Sequence, residues 1–513
     1  MDRPALYEIN TRTLLQELGA TLGRKATLDD LPDSTLDGWA NRGFEWVWLL
    51  GVWQTGPAGR EVSRSDLALR AGYAAELPDW REEDVCGSPF AVRSYTVNQD
   101  FGGDGALARL RQRLIVRNIR IVLDFVVNHV ALDHPWVTSH PEYFVHGSED
   151  DLVREPRNYV RLRAENGPII LAHGRDPYFP GWADTLQLNF RHAGSGAAQI
   201  EELLSIAGRC DGVRCDMAML VQPEVFRQTW GERSNPVDGS APVDEPFWPE
   251  AIRAVRSERS DFLFIAEVYW DKEWELQREG FDFTYDKRLY GRLRAGVALP
   301  VREHLMAAPD FQEHSLRFLE NHDEPRAAAV FPLEMHQAAA VVAYFTPGMR
   351  FFHEGQLWGR KVHASMHLCR RAFEVPNSGL ASFYDRLLEC LQRREVHQGR
   401  WRQWNCRPAW EGNDTWDQFM VFSWQDEGKN PLLVIVNYGP SRGQCYVTLD
   451  IPSLAGKHYL LADLMGDASY DRSGDGLIGN GLYLDMPPWG YHLFDLKHRG
   501  NDALAIPPAG TGS

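Results

Sequence analysis

The sequence has few cysteines, and nothing in their arrangement suggests a covalent framework. Seven cysteines are scattered over 513 residues, and no CxxC pair occurs. An odd and dispersed set of thiols is not typical of a disulfide-stapled secreted domain or of a zinc site. The sequence therefore predicts a protein of a reducing compartment, and we expect it to reside in the cytoplasm.

The sequence has neither a long apolar segment nor the residue pattern of a secretory leader in its opening residues. No stretch of the sequence approaches the roughly 20 consecutive apolar residues that a membrane-spanning helix requires. The opening residues, MDRPALYEINTRTLL, lack the basic, apolar and small-residue order of a secretory signal. We therefore expect neither a membrane anchor nor export.

Positive charge is in short supply. The chain has 54 lysines and arginines against 71 aspartates and glutamates, and its formal net charge is -17. Nucleic acids and anionic membranes both attract basic surfaces, so this balance argues against either as a partner. A neutral substrate is the simplest expectation, and the oligomeric state stays open.

The length and the apolar content indicate a large globular protein. Hydrophobic residues make up 44% of the 513 positions, which suits a large barrel with one appended domain. The 18 tryptophans are numerous. Exposed aromatic rings often stack on sugar faces, whereas buried rings fill cores and domain interfaces, and both interpretations stay open.

Short apolar runs alternate with helical patterns over roughly the first 395 residues. Leu107, Leu110 and Leu114 mark one helical face, Asn118 ends that helix, and a buried strand follows. Strands are predicted at residues 6–10, 46–50, 121–123, 212–216, 262–266, 281–285, 316–319 and 349–352. This α/β order predicts a parallel (β/α)₈ TIM barrel. An open doubly wound sheet would alternate in the same way, but no glycine-rich dinucleotide loop follows the first strand.

Two further regions differ from the barrel pattern. Residues 131–180 follow the third strand and are too long for a simple loop, so they predict an inserted subdomain. Short strands separated by Gly, Pro and Asn turns predict a C-terminal β-sandwich at residues 396–500. The barrel then comprises residues 1–130 and 181–395, and residues 501–513 are expected to be disordered.

Four segments at the ends of predicted strands concentrate ionisable groups. They are residues 124–129 (DFVVNH), 212–216 (GVRCD), 264–267 (FIAE) and 318–323 (FLENHD). The carboxyl ends of the strands of such a barrel converge on one mouth, which is its catalytic face. Charged groups in that position are costly unless they are paired or used. The four segments therefore predict one polar site.

Three carboxyls and an arginine at one mouth suit glycoside hydrolysis. That reaction needs a carboxylate and a carboxylic acid of different proton affinity on either side of the bond. Arg214 points to the same side of its strand as Asp216, and we expect it to keep that carboxyl ionised. The apolar run before Glu267 favours a carboxyl that holds its proton near neutral pH. Any one of these residues alone is more often structural, and only the joint pattern points to catalysis.

This joint pattern resembles glycoside hydrolase family 13, the α-amylase family. DFVVNHV, DGVRCDMAM, FIAEVYW and FLENHDEPR are similar to its four conserved segments and occur in the same order. GWADTLQLN resembles an additional segment at the end of the family's inserted domain. The likeness runs for about 400 residues, from YEINTR to TPGMRFFHEGQ, and the region beyond is similar to the family's C-terminal domain.

The resemblance implies a role for each site residue. Asp216 would be the nucleophile that forms a covalent glycosyl-enzyme with retention of configuration. Glu267 would be the general acid and then the base, and Asp323 would bind sugar hydroxyls and distort the ring. The groups implied to hold the reacting glucose are Arg214, His129 and His322. Asp124 would support Arg214, and the ring of Phe90 would stack on the sugar.

Several departures from the family pattern bear on the substrate. Met219 and Leu220 replace a Lys-His pair of endo-acting amylases, which weakens a long-starch hypothesis. Phe90 replaces a stacking tyrosine, and Gly87 stands where many exo-acting members have an aspartate. Some members bind calcium through the residue equivalent to Asn128, but a set of 6–8 oxygen ligands is not identifiable here. We expect no cofactor, with calcium left open.

The sequence thus predicts a retaining hydrolase of short α-glucosides or maltooligosaccharides. A transglycosylase of the same family, with a sugar or phosphate acceptor, is the alternative, because water exclusion at the acceptor site decides the outcome. A non-catalytic relative is a third hypothesis, although such relatives tend to lose the carboxylates and to carry a membrane helix. Residues 359–379 either close the sugar pocket or pack on the barrel rim, and the sugar and its linkage stay open.

Overall fold

Eight parallel strands close into a barrel in the computed structural model, which describes residues 3–164, 167–427 and 430–499. Each strand pairs with the next along the chain, and the last pairs with the first. The strands are β1 (Ala5–Asn10), β2 (Trp46–Leu50), β3 (Arg120–Phe125), β4 (Gly212–Cys215), β5 (Leu263–Ala266), β6 (Phe283–Tyr285), β7 (Ser315–Arg317) and β8 (Met349–His353). The predicted barrel is confirmed, and the tail predicted at 501–513 lies outside the described residues.

Most side chains of the barrel strands are buried, on both faces of each strand. All five side chains of β2, which reads WVWLL, are buried, and so are all five of β8. One face of each strand fills the barrel and the other contacts the surrounding helices, so alternation of polar and apolar residues is not expected. The apolar runs identified in the sequence are therefore strands with two buried faces.

Helices cover the outside of the barrel. Helix Gly103–Ile115 buries Leu107, Leu110 and Leu114, as the sequence predicts, and Asn118 then turns the chain into β3 with a φ of 58°. Among the residues that the structure describes, no helix is long and apolar enough to span a bilayer. The α-helices are Thr11–Leu22, Asp33–Asn41, Pro57–Ser65, Leu67–Glu76, Gly103–Ile115, Trp136–Ser139, Glu149–Arg154, Ala193–Ala207, Pro223–Trp230, Phe247–Glu258, Glu273–Glu279, Lys287–Ala295, Ala298–His304, Pro309–Glu313, Ala327–Val330, Leu333–Tyr344, Ser378–Leu391, Arg394–Gln398 and Gly474–Gly479.

The chain between β3 and helix Ala193–Ala207 forms a small unit with its own core. Antiparallel strands His129–Ala131 and Thr185–Gln187 pair at its base, and Tyr159–Ala164 pairs with Gly167–Ala172 as a hairpin. The buried side chains of one core cluster are Val130, Val137, Phe144, Leu171, Leu186 and Leu188. Because this unit leaves the carboxyl end of a barrel strand, it stands over the barrel mouth.

The region after the barrel is antiparallel β structure, as predicted, with one short helix, Gly474–Gly479, among its described residues. A six-stranded sheet contains Arg400–Trp404, Phe419–Gln425, Leu432–Asn437, Tyr491–Arg499, His458–Asp463 and Ser469–Ser473. A three-stranded sheet contains Cys406–Pro408, Gly443–Val447 and Leu482–Met486. Alternate residues of strand Leu432–Asn437 belong to two different cores. Leu433 and Ile435 face the sandwich interior, and Val434 and Val436 face the barrel side.

The barrel and the sandwich meet through a buried tryptophan. Trp424 is fully buried, and its Nε1 donates a hydrogen bond to the carbonyl of Phe345 at 2.8 Å. The guanidinium of Arg3 lies 4.4 Å from the centroid of the same ring. Nearby, the Tyr438 hydroxyl donates to the carbonyl of Leu293 at 2.7 Å. This junction fixes the sandwich on the side of the barrel.

Replacing Trp424 with alanine should lower the free energy of unfolding by about 3–5 kcal/mol. The change removes a fully buried ring and leaves the carbonyl of Phe345 without this donor. Chemical denaturation followed by circular dichroism measures the loss. The exposed Trp410 is the matched control, because Trp410→Ala should change stability by no more than about 0.5 kcal/mol. Equal losses in the two variants would contradict the account of the junction.

Candidate functional site

The ends of neighbouring strands place the ionisable residues side by side. In the strand register, Arg214 of β4 lies opposite Asp124 of β3 and Ile265 of β5. Asp216 and Glu267 follow directly after β4 and β5, so both carboxyls lie at the carboxyl-end rim of the barrel. Local β geometry and barrel closure are thus enough to bring these groups together.

A buried guanidinium joins two of the carboxyls. Arg214 is 1% exposed, and its Nη1 donates to Oδ1 of Asp216 at 2.5 Å. Its Nη2 lies 2.7 Å from Oε2 of Glu267. The Nε group donates to the Tyr285 hydroxyl at 3.4 Å. The planar, permanently charged guanidinium therefore sets the relative position of Asp216 and Glu267.

Both oxygens of Glu267 have partners. Oε2 accepts a hydrogen bond from the backbone N–H of Met217 at 2.8 Å, and Oε1 accepts from the Tyr269 hydroxyl at 2.9 Å. Burial raises the pKa of Glu267 to about 7, with Asp216 and Asp323 adding to the shift and Arg214 opposing it. A carboxyl with a pKa near neutrality can both give and take a proton at physiological pH.

The other two carboxyls differ from Glu267 in their electrostatic surroundings. Burial raises the pKa of Asp216 above its usual value, and the adjacent Arg214 lowers it. Arg214 thus favours the ionised form of Asp216, as the sequence suggested, although burial raises the pKa by more than Arg214 lowers it. Burial also acts to raise the pKa of Asp323, but His322 and Arg214 together lower it more, so this pKa lies below its usual value.

A second charged network lies next to the first. Glu8 of β1 is fully buried, and its Oε1 lies 2.5 Å from Nδ1 of His322. Its Oε2 lies 2.7 Å from Nδ1 of His353, and Nε2 of His322 lies 3.1 Å from Asp323. Burial alone would lower the pKa of His322, but the carboxylates of Asp323 and Glu8 raise it well above its usual value. His322 is thus held as an imidazolium between two carboxylates.

The three predicted carboxyls line one cavity, whose volume is about 510 Å³. Asp216, Glu267 and Asp323 line it together with His129 and Phe90. Its wall also includes residues of the insert and of segment 359–379, which are Trp182, Ala183, Asp184, Thr185, Met366 and His367. The presence of Met366 and His367 favours the hypothesis that segment 359–379 closes the pocket.

The remaining predicted residues lie around or behind the cavity. Burial lowers the pKa of His129 to about 3, so its imidazole is neutral. The Phe90 ring lies 5.2 Å from the guanidinium carbon of Arg214 and 5.4 Å from the ring of His322. Arg214 and His322 thus support the wall from behind.

Asp124 has partners that the resemblance did not imply. Its carboxyl accepts hydrogen bonds from Nε1 of Trp48 at 2.9 Å and from the N–H of Gly51 at 2.8 Å. Arg214 acts on it through its charge, which lowers a pKa that burial raises. Asp124 therefore anchors β2 to β3 and contributes negative charge near Arg214.

Comparison with known proteins agrees with this geometry. The profile of the α-amylase catalytic domain matches residues 91–176. The α-amylase MalA of Haloarcula japonica is 25% identical over 275 residues, which is 52% of this chain and 36% of that protein. An α-1,4-glucan:maltose-1-phosphate maltosyltransferase of Picrophilus torridus is 26% identical over 207 residues, which is 39% of this chain and 26% of that protein. This chain is a relative of the α-amylase family, glycoside hydrolase family 13.

Solved structures share the fold over nearly the whole chain. A maltogenic α-amylase, AmyB of Thermotoga neapolitana, aligns with a TM-score of 0.66 and 18% identity over 96% of this chain and 98% of that chain. An α-amylase of Lactobacillus plantarum aligns with a TM-score of 0.65 and 19% identity over the same shares. In contrast, this chain spans only 36% of the length of MalA and 26% of the length of the Picrophilus torridus maltosyltransferase.

The α-amylase family pattern raised the question of calcium at Asn128. In the structure, Nε2 of Gln187 donates to Oδ1 of Asn128 at 2.9 Å, and Nδ2 of Asn128 donates to Oε1 of Gln187 at 3.2 Å. This amide pair is neutral and is buried on both sides. A calcium site needs several negatively charged or carbonyl oxygens that point at one centre. The residues around Asn128 do not fit that requirement.

The structure also explains two departures from the α-amylase family pattern. Met219 and Leu220 are buried in a 3₁₀ turn and are not among the described residues that line the cavity. Gly87 has a φ of 85°, and a Cβ there would lie 3.1 Å from the backbone N of Arg60. An aspartate at this position would therefore be strained and crowded.

Some functional candidates were not singled out by the sequence. Glu8, Tyr269 and His353 all contact groups at the mouth, and Met217 supplies a backbone donor. Tyr269 stands two residues after Glu267, so strand-like alternation was a signal that could have found it. Glu8 is 314 residues from His322 along the chain, and no local pattern links the two.

Replacing Glu8 with glutamine should lower the free energy of unfolding by about 3 kcal/mol at pH 7. The variant leaves His322 and His353 buried without their shared carboxylate. The pKa of Glu8 is lowered in the folded protein, because the two histidines outweigh burial. Its stabilisation is therefore present above the ordinary glutamate pKa of about 4.3 and is lost as the pH falls below it.

Urea denaturation of wild type and variant at several pH values measures this effect. The difference between the two proteins should be largest near neutral pH and should shrink below about pH 4. Glu61→Gln, at an exposed position, is the control and should leave stability within about 0.5 kcal/mol of wild type. Equal stability of wild type and Glu8→Gln at pH 7 would show that the buried network is not stabilising.

Proposed function

We propose that this chain is a retaining α-glycosidase that acts on short α-glucosides or maltooligosaccharides through a covalent intermediate on Asp216. The observation that carries the proposal is one cavity lined by three carboxyls, two of which contact a single buried guanidinium. Two carboxyls that contact one guanidinium lie close together. Short separations of about 5–5.5 Å are typical of retaining enzymes.

The first half-reaction forms the intermediate. The Asp216 carboxylate attacks the anomeric carbon while Glu267 gives its proton to the glycosidic oxygen. The bond from carbon to that oxygen breaks, the leaving sugar departs with the proton, and a glycosyl ester of Asp216 remains. A pKa of about 7 leaves a large fraction of Glu267 protonated for this step at neutral pH.

The second half-reaction releases the sugar. Glu267, now a carboxylate, takes a proton from a water molecule whose oxygen attacks the anomeric carbon. The ester bond to Asp216 breaks, so the carboxylate is regenerated and the product keeps the original configuration. Asp323 and the neutral His129 line the cavity at positions where they can bind sugar hydroxyls, and Phe90 offers a ring for stacking.

The rim of the site supports a substrate with more than one sugar ring. Tyr178 of the insert is 61% exposed and Trp270 is 37% exposed, although both are large aromatic side chains. Their rings meet edge to face at 5.0 Å. Trp270 directly follows the cavity residue Tyr269, which places this exposed pair beside the pocket. Aromatic rings that are apolar on one face and wet at one edge suit carbohydrate stacking.

A transglycosylase of the same kind is the second candidate. The curated relatives include a maltosyltransferase of Picrophilus torridus and another of Burkholderia pseudomallei, each about a quarter identical over part of this chain. In that case a sugar or phosphate oxygen, instead of water, would attack the intermediate. A non-catalytic role is disfavoured because all three carboxyls are present and line one cavity.

The test is product analysis on α-linked di- and trisaccharides, including maltose, isomaltose, trehalose, sucrose and maltotriose. NMR should show that the first product formed has the α configuration. Asp216→Asn should lower turnover by about 10⁴-fold without unfolding the protein, because the nucleophile is lost. Asp467→Asn, at an exposed position far along the sandwich, is the matched control and should keep wild-type turnover.

The same assay separates the two candidates. With added acceptor sugar or inorganic phosphate, a hydrolase should still release most of the glycosyl groups to water. Capture of most glycosyl groups by an acceptor would replace the hydrolase with a transglycosylase. A β-configured first product, or full turnover by Asp216→Asn, would contradict the retaining mechanism for both candidates.

A further inference from the structure

The two oxygens of Glu267 have different surroundings. Oε2 faces two groups that can only donate: the N–H of Met217 at 2.8 Å and Nη2 of Arg214 at 2.7 Å. A proton on Oε2 would have to share that oxygen with both donors. When Glu267 is protonated, its proton is therefore unfavourable on Oε2.

Oε1 has a different kind of neighbour. It lies 2.9 Å from the hydroxyl of Tyr269, which can either donate or accept. Tyr269 and Met217 both line the cavity, so the two oxygens of Glu267 differ in the chemistry of their neighbours: only Oε1 has a neighbour that can accept as well as donate. Burial, with Glu267 and Asp323 adding to it, raises the pKa of Tyr269 well above its usual value. The hydroxyl therefore keeps its own proton over the working pH range.

The backbone around Met217 keeps this arrangement in place. Met217 has a φ of 43°, an unusual conformation for a residue with a side chain, and its N–H points at Oε2. The N–H of Glu267 donates to the carbonyl of Cys215 at 3.1 Å, and the N–H of Ala218 donates to the carbonyl of Glu267 at 3.0 Å. The strand ends that carry Asp216 and Glu267 are thus tied together.

We propose that Oε1 of Glu267 carries the transferable proton and that Tyr269 is a positioning residue that holds this oxygen. The inference rests on the proposed function and adds a residue to it. When Glu267 gives its proton to the leaving oxygen, Oε1 becomes a carboxylate oxygen, and the Tyr269 hydroxyl donates to it. When Oε1 later takes a proton from water or an acceptor, Tyr269 still holds its own proton. The other titratable groups that act on this pair are Arg214, Asp216, Asp323 and Tyr285.

The test is Tyr269→Phe, read by NMR of ¹³C-methyl-labelled methionine. Met217 lines the same cavity and contacts Glu267, so its methyl signal should titrate with that carboxyl, with a midpoint pH near 7 in the wild type. Met217→Leu assigns the signal, and Glu267→Gln should abolish the titration. Removing a donor to the carboxylate disfavours the ionised form, so the midpoint should rise by about one pH unit in Tyr269→Phe.

Tyr438→Phe is the matched control. It also removes a buried tyrosine hydroxyl, one that donates to the carbonyl of Leu293 at the junction with the sandwich. This variant should lose some stability and leave the Met217 midpoint unchanged. A midpoint that stays fixed or falls in Tyr269→Phe, or that rises equally in Tyr438→Phe, would overturn the proposal. Tyr269→Leu gives the same readout if the phenylalanine variant does not fold.

The pH profile of kcat/KM gives a second readout. Its alkaline limb reports the loss of the proton from the free enzyme's general acid, so it should move up by the same amount in Tyr269→Phe. A limb that does not move while activity persists would also overturn the proposal. If the NMR midpoint rises but the wild type cleaves no α-glucoside, the placement of the proton stands and the proposed function fails, so the two failures are distinguishable.

Discussion

The buried guanidinium of Arg214 is the interaction on which the arrangement of the mouth depends. Burial acts to lower its pKa, but Glu267, Asp216 and Asp124 raise it, so the pKa lies well above its usual value. The centroid of the Trp48 ring lies 5.1 Å from the guanidinium carbon, within the range of a cation–π contact. Because an uncompensated buried charge is strongly destabilising, the cation and the carboxyls around it must be placed as a unit. That requirement explains why so many ionisable groups occur in one apolar barrel.

A second constraint separates the proton affinities of the carboxyls. Glu267 has its pKa raised to about 7, whereas the pKa of Asp323 is lowered by the imidazolium of His322. Glu8 of β1 fixes that imidazolium. Carboxyls that share one cavity but titrate at different pH can serve as acid and as charged ligand at the same time. The fold thus supplies the two protonation states that glycoside chemistry needs, through burial in one place and ion pairing in another.

Local patterns accounted for the strands and for part of the site. Residues 46–50 were predicted as a strand and form β2 (Trp46–Leu50), because a short apolar run with two buried faces is distinctive. The contact between Arg214 and Asp216 followed from the period of two in a strand. Contacts between distant parts of the chain could not be predicted from local patterns. Glu8 meets His353 because β1 pairs with β8, and it meets His322, which follows β7, only because the barrel closes. Asp124 binds Trp48 of the neighbouring strand β2. The positive φ of Met217 likewise arises from tertiary packing, since nothing in its side chain predicts it.

Trapping the glycosyl-enzyme with a fluorinated glucosyl fluoride, followed by proteolysis and mass spectrometry, tests the central claim most directly. The account predicts one added fluoroglucosyl group, located on the peptide that contains Asp216, and turnover lost in proportion to labelling. A label on a peptide without Asp216, or an enzyme that turns over α-glucosides and is inactivated without acquiring any label, would contradict it.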